Sequence, residues 1–201
     1  MQKMGPSPKI RLNRPLILWI IPCKAGFNAG HSSFNFLTAR RDVVVQSFDV
    51  GRHRYVSPMV SFLRRTFPGR LSVELGDSRL TVPRHFRPDS GSTGPGVGCD
   101  LMLVDGGHGF DVALSDIRNF ARVASRPRNV IVVDDTNRRQ VRTAWKVAVR
   151  SGIVQQLFTC RFGSNGRAFA LGVVRPQNSH SRWSNAPFPV NVRFHQRMLR
   201  P

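Results

Sequence analysis

The stretch Cys99–Phe120, CDLMLVDGGHGFDVALSDIRNF, has the pattern of a strand, a glycine-rich turn and a helix in direct succession. Its run Leu101–Val104 is apolar without alternation, which is typical of a strand covered on both faces. Asp105 closes this run. Apolar residues then recur at helical spacing, at Ala113, Ile117, Phe120, Ala121 and Ala124. The succession predicts one strand–helix unit of a parallel α/β sheet.

Similar units recur along the chain at a nearly constant interval. Four aspartates are spaced by 28, 28 and 29 residues, and each ends or closely follows an apolar run: Asp49, Asp77, Asp105 and Asp134. An interval near 30 residues is that of a strand followed by a crossover helix. Since parallel strands share one carboxyl edge, these acids are predicted to converge on a ligand site. The alternative is that aspartate is simply common at strand ends and helix N-caps.

The last part of the chain changes from strand–helix units to two strands. A second helical stripe comprises Val141, Ala144, Trp145, Ala148 and Val149. Residues 153–162, IVQQLFTCRF, and 167–174, RAFALGVV, are strand-like and flank the turn GSNG. We therefore predict a doubly wound, mostly parallel α/β sheet with an antiparallel terminal hairpin. It would occupy residues 16–174 as one domain, with residues 1–15 and 175–201 as flexible basic flanks.

A glycine loop follows the first apolar run, LILWII at Leu16–Ile21, which we interpret as a buried strand rather than a signal peptide. In this loop, GFNAGHSS at 26–33, Gly26 allows a tight turn and Gly30 a close approach of backbone to ligand. The loop matches neither GxGxxG nor GxxxxGK[ST], so a pyrophosphate ligand is not indicated. Asp49 follows Gly30 by 19 residues, the distance at which an acid binds ribose hydroxyls. These features predict a nucleoside-containing ligand.

Composition restricts the function classes. The chain has 201 residues, 31 of them Lys or Arg against 11 Asp or Glu, with a net charge of +20. The arginines are spread along the chain, which favours a generally basic surface; a nucleic-acid partner is the alternative. No run reaches the ~20 apolar residues of a membrane span. Three cysteines without CxxC spacing argue against a disulfide framework and a zinc site, so a reducing, cytoplasmic compartment is expected.

Five segments, in order, resemble class I S-adenosylmethionine-dependent methyltransferases. They are GFNAGHSS, SFDVGRHRYV, FPGRLSVELGDS, CDLMLVDGGHGFDVALSDIRNF and VIVVDDT, and they lie within residues 16–174. The likeness is to the small-molecule O-methyltransferase-like branch with DGGH and DD signatures. It implies a Rossmann-like, seven-stranded sheet whose last strand is antiparallel. It also implies S-adenosylmethionine as the cofactor and a small-molecule hydroxyl as the methyl acceptor; a nucleic-acid-associated protein and an inactive relic of the fold are the alternatives.

The resemblance assigns roles to individual residues. The residues that would line the methionine end of the cofactor are Gly26, Asn28, Gly30 and Ser32. Asp49 would bind the ribose hydroxyls, and Asp77 with Ser78 would lie by the adenine. Asp105 and His108 would face the reacting methyl, with His108 as a candidate base; a local role for this histidine in its glycine-rich turn is the alternative.

Two further expectations concern charge. The family usually has an acid two positions before the first loop glycine, whereas this chain has Lys24 there. The departure lies beside the expected cofactor loop and therefore concerns the methyltransferase activity. Three acids, Asp105, Asp134 and Asp135, would end neighbouring strands and would repel one another when ionised. Oxygen ligands suit Mg²⁺, so these acids are a predicted metal site. The alternative is that one of the DD pair caps the following helix.

Overall fold

The computed structural model of the chain describes residues 20–87, 98–125, 129–163 and 166–175. The strands are β1 (Pro22–Ala25), β2 (Val45–Asp49), β3 (Leu71–Leu75), β4 (Leu101–Val104), β5 (Val130–Val133), β6 (Val154–Phe162) and β7 (Arg167–Val174). The helices are α1 (His31–Ala39), α2 (Val56–Thr66), α3 (Ser78–His85), α4 (Phe110–Val123) and α5 (Arg139–Arg150). The predicted flanks 1–15 and 175–201 lie outside the described residues, apart from Arg175.

The seven strands form one sheet in the order β3-β2-β1-β4-β5-β7-β6. The first five strands pair in parallel, whereas β7 is antiparallel to both β5 and β6. The predicted α/β class, the parallel core and the terminal hairpin are thereby confirmed. The chain order reverses between β1 and β4, and ligands of such sheets bind at that switch point, outside the carboxyl ends of the strands.

The first strand lies later in the chain than predicted. The prediction placed it at Leu16–Ile21, of which residues 16–19 lie outside the described part of the chain; β1 begins at Pro22, and Ile20 forms only an isolated bridge with Val43. Proline is tolerated at the first position of a strand because no ladder hydrogen bond is required from its nitrogen there. All four residues of β1 are buried, including Lys24. The apolar run was therefore a poor guide to a strand that contains a cysteine and a lysine.

The amphipathic helices pack as their spacing predicted. On α4, Ile117 and Phe120 are fully buried, and on α5 the stripe of Val141, Ala144, Trp145 and Ala148 is buried. Burying one such large apolar side chain contributes ~1.5–3 kcal/mol, so these faces anchor both helices. Among the described residues, no helix is long and apolar enough to cross a membrane.

A disulfide joins Cys23 of β1 to Cys99, which immediately precedes β4, with the Cα atoms 5.7 Å apart. The prediction against disulfide pairing is therefore wrong. Residues 76 apart in sequence meet because β1 and β4 are neighbours in the sheet, a relation that cysteine spacing does not reveal. Cys160 is left as a free, partly buried thiol. The pairing also removes the argument on which the expected reducing, cytoplasmic compartment rested.

Candidate functional site

A cleft of about 960 Å³ opens at the carboxyl ends of β1, β2, β4 and β5. Ten of the residues singled out in the sequence line it together: Gly26, Asn28, Ser32, Asp49, Asp77, Ser78, Asp105, His108, Asp134 and Asp135. Gly30 is not among the lining residues. The convergence of the four evenly spaced aspartates follows from the parallel sheet, since each stands at or just beyond the carboxyl end of its strand.

The glycine loop depends on its two glycines for different reasons. Gly26 has φ +87°, and a Cβ atom there would lie 2.1 Å from the carbonyl oxygen of Asp105, so no other residue fits. Gly30 has φ +80° and is the N-cap of α1, and a Cβ there would lie 2.9 Å from Leu63 Cδ1. Gly26 thus keeps the floor of the cleft open, whereas Gly30 serves the turn into the helix and the packing beneath it.

Asp49 ties the glycine loop to the end of β2. Its Oδ2 accepts a hydrogen bond from the backbone N–H of Asn28 at 2.8 Å, and its Oδ1 accepts one from Gly51 N–H at 2.7 Å. The Tyr55 hydroxyl donates to Asn28 Oδ1 at 2.6 Å. A carboxylate can accept about four hydrogen bonds, so lone pairs of Asp49 remain for a ligand. Tyr55 was not predicted, because no sequence pattern connects it with the loop.

Asp77 acts in the structure as a helix cap. As the N-cap of α3 it accepts a hydrogen bond from Arg79 N–H at 3.0 Å, and the Arg79 guanidinium also binds its carboxylate. The Arg79 side chain holds the pKa of Asp77 below its usual value. Ser78 begins α3 beside it and lines the cleft. Asp77 is therefore a helix N-cap, as the alternative interpretation holds, and it also lines the wall of the cleft.

The floor of the cleft holds a buried ion pair. Lys24 Nζ lies 4.0 Å from Asp105 Oδ2, with 1% of the lysine side chain and 34% of the aspartate side chain exposed. Burial raises the pKa of Asp105, which is opposed by the charge of Lys24 and reinforced by Asp134 and Asp135. Burial likewise lowers the pKa of Lys24, against the charges of Asp105 and Asp49.

The far wall of the cleft carries acids that are paired with basic side chains. His108 Nε2 lies 2.8 Å from Asp135 Oδ2, and Arg138 Nε lies 3.4 Å from the same oxygen. Arg167 binds Asp134 Oδ2 at 3.1 Å. Neither acid caps α5, whose N-cap is Arg138 and has no side-chain cap bond, so the capping alternative is wrong here. Asp135 also has a positive φ of 54°, a backbone conformation that residues other than glycine seldom adopt.

The predicted magnesium site gains no support from this arrangement. In the ranges that the structure describes, no group of three or more His, Cys, Asp or Glu side chains is placed to hold a metal ion. The acids that would supply oxygen ligands instead meet Lys24, Arg167, Arg138 and His108. A divalent cation would have to displace these basic groups, so the donor set does not fit it.

Comparisons with known proteins find the fold but no close relative. No protein-family model matches the chain, and no curated protein matches it. Solved structures match over most of its length. The O-methyltransferase TomG from Streptomyces achromogenes, involved in tomaymycin synthesis and in complex with S-adenosylmethionine, is 18% identical, with a TM-score of 0.63 over 78% of this chain and 73% of that one.

Two further structures give the same result. An O-methyltransferase from Bacillus cereus, in complex with S-adenosylhomocysteine, is 17% identical, with a TM-score of 0.59 over 77% of this chain and 74% of that one. The S-adenosylhomocysteine-bound methyltransferase PaMTH1 from Podospora anserina is 9% identical, with a TM-score of 0.61 over 78% and 72%. The chain has the class I methyltransferase fold. Identities this low establish architecture and leave the chemistry to be argued from the residues.

Proposed function

We propose that this protein transfers a methyl group from S-adenosylmethionine to a hydroxyl group of a small molecule. The observation that carries the proposal is the clamp of Asp49 on the glycine loop, set at the switch point of the sheet. The DGGH and DD segments and the O-methyltransferases among the structural neighbours support it.

The residues of the cleft fit this cofactor on three counts. Gly26 presents bare backbone at the floor, where any side chain would collide with Asp105. Asp49 has unused lone pairs for two ribose hydroxyls. The cleft is lined by five aspartates against three lysine or arginine side chains, so its formal charge suits a ligand with a positively charged sulfur.

His108 is the proposed general base. The Asp135 carboxylate can only accept a hydrogen bond, so in the proposed mechanism Nε2–H of His108 donates to it and Nδ1 is left as the proton acceptor of a residue that lines the cleft. His108 is nearly half exposed, so an acceptor can reach it. Asp135 is then a positioning residue that fixes the tautomer of the histidine, as carboxylates do for catalytic histidines elsewhere.

When bound, the cofactor would supply an electrophilic methyl group on a sulfonium; the acceptor oxygen would take this methyl while the electron pair of the carbon–sulfur bond stays on sulfur. Nδ1 of His108 would accept the hydroxyl proton. Asp49 and the glycine loop hold the reacting parts in line. No step is assigned to a metal, since the acids that would bind one are already paired with basic groups.

Calorimetric titration of the full chain with S-adenosylmethionine and S-adenosylhomocysteine tests the proposal first. A screen of hydroxyl-bearing acceptors follows, with and without excess chelator. We expect both ligands to bind, and methyl transfer to an oxygen to survive the chelator but to be lost in His108→Ala. Failure of folded protein to bind either ligand at millimolar concentration would leave only the fold, as an inactive relic. Transfer that stops with chelator would restore the metal and remove His108 as the base.

A further inference from the structure

Lys24 is among the largest fully buried side chains in the described residues, and it is the one that carries an ammonium group. It lies within β1, where it is paired with Ser47 of β2 and Leu103 of β4, at the centre of the parallel sheet. A buried ammonium is costly unless a charge or hydrogen-bond partner compensates it, and lysine is among the residues least often found fully buried. The position of Lys24 at the floor of a ligand cleft therefore indicates that this lysine has a role in that cleft.

The charge partners of Lys24 are both cleft acids. Its Nζ lies 4.0 Å from Asp105 Oδ2, which is too long for a hydrogen bond, and the charge of Asp49 also acts on it. Lys24 itself lines the cleft. Lys24 thus lies beside acids that follow β2 and β4, at the lining of the cleft.

The acids beside Lys24 are the ones to which the proposed function assigns the two sides of the reacting group. The ribose is assigned to Asp49, and the reacting methyl is assigned to the side of Asp105 and His108. Lys24 lies 4.0 Å from Asp105 and interacts with the charge of Asp49, so its ammonium would act on a positive charge that a ligand carries near these acids.

We infer that Lys24 is a specificity-determining residue that weakens binding of the sulfonium S-adenosylmethionine relative to the neutral thioether S-adenosylhomocysteine. This inference rests on the proposed cofactor site. The two ligands share every group except the methyl and the positive charge on sulfur, and a nearby ammonium repels only that charge. This repulsion weakens the binding of S-adenosylmethionine, the ligand before methyl transfer, and not that of S-adenosylhomocysteine, the product. Lys24 therefore sets the balance between binding of the cofactor and retention of the product.

The test compares the ratio of two dissociation constants, that of S-adenosylmethionine over that of S-adenosylhomocysteine. Calorimetry would measure it in the wild-type full chain, in Lys24→Met, and in Lys146→Met as a matched control on the exposed face of α5. Lys24→Met keeps the length of the side chain and removes the charge. We expect the ratio to fall by about tenfold or more in Lys24→Met, as two charges within several ångströms imply, and to keep its wild-type value in Lys146→Met.

The outcomes distinguish a failure of this inference from a failure of the proposed function on which it rests. If both ligands bind and the ratio is unchanged in Lys24→Met, or changes as much in Lys146→Met, the inference is overturned and the cofactor site stands. If the wild type binds neither ligand, both fail. Should Lys24→Met not fold, the wild type alone decides with an analogue that carries an ammonium in place of the methylsulfonium. Binding of that analogue as tight as that of S-adenosylhomocysteine overturns the inference.

Discussion

At the scale of single residues, Asp49 joins local structure to ligand binding. Its two oxygens hold the N–H groups of Asn28 and Gly51 and are assigned the ribose hydroxyls as well. We predict that Asp49→Ala weakens S-adenosylhomocysteine binding by about 1.5–3 kcal/mol, the scale of a hydrogen bond to a charged group. Calorimetry measures the loss, with Asp42→Ala as the control, because Asp42 pairs with Arg40 and does not line the cleft. Equal affinity in Asp49→Ala and wild type would remove Asp49 from the site.

Asp116 on α4 carries a second residue-scale prediction. Its side chain is fully buried, and neither carboxyl oxygen has a hydrogen-bond partner among the described residues. Burial raises the pKa of Asp116 to about 7; the nearby Ser78 hydroxyl lowers it, although it falls short of hydrogen-bond geometry. The folded protein thus holds this proton more tightly than the unfolded chain, whose aspartate pKa is ~3.9.

The sign of the pH effect follows from that difference. The contribution of Asp116 to stability is fully present below pH ~4, is lost as pH rises through about 7, and amounts to roughly 4 kcal/mol over that interval. We predict that Asp116→Asn flattens this part of the stability profile in chemical denaturation between pH 5 and 8. Asp111→Asn is the control, since Asp111 is an exposed acid on the same helix. A profile as steep in Asp116→Asn as in wild type would contradict the assignment.

At the scale of elements, the disulfide fastens β1 to the start of β4. The bond closes a segment with a sequence separation of 76 residues, so the chain-entropy model gives a stabilisation of about 4–5 kcal/mol. We predict that Cys23→Ala/Cys99→Ala lowers the free energy of unfolding by ~2–5 kcal/mol in urea denaturation. Cys160→Ala, which removes the free thiol, should leave the midpoint near the wild-type value. Wild-type stability in the double variant, or the absence of the bond by mass after thiol alkylation, would contradict this link.

The elements also show which features a sequence can reveal. Helices α4 and α5 were predicted because a buried face leaves apolar residues at helical spacing, and β4 and β5 because a strand covered on both faces is a continuous apolar run. Strand β1 was misplaced, since its four buried residues include Pro22, Cys23 and Lys24 and form no such run. The convergence of the aspartates followed from parallel topology. The pairing of Asp134 with Arg167 did not, because it joins β5 to a strand 33 residues away through side-chain geometry alone.

At the scale of the whole molecule, acidic residues are concentrated at the cleft. The cleft is lined by five of the chain's 11 acidic residues, whereas the molecule as a whole has a net charge of +20. A negative cleft in a positive surface attracts a cationic ligand at short range and polyanions at long range. Binding of a cationic ligand in the cleft and binding of a polyanion at the surface therefore need not involve the same residues.

On helix α5 the basic residues of that positive surface are arranged at regular spacing. The segment 138–150 contains five basic residues and no acid, and its inner face is buried. Four of the basic residues fall within one side of the helix at helical spacing, namely Arg139, Arg142, Lys146 and Arg150. Cations in the first turn oppose the helix dipole, so local stability does not account for Arg139. The stripe begins next to the cleft, where Arg138 contacts Asp135.

We therefore predict salt-dependent binding of single-stranded nucleic acid along α5. The affinity should fall as salt rises, and Arg139→Glu/Lys146→Glu should reduce the slope of log K against log salt by about 1.4, from ~0.7 for each lost phosphate contact. Fluorescence anisotropy with a labelled oligonucleotide measures both. The matched control is Arg41→Glu/Arg65→Glu, which changes the net charge equally at exposed positions on other elements. An equal loss in the two double variants would show that net charge alone attracts the strand, because only a defined track makes the position of the charge matter.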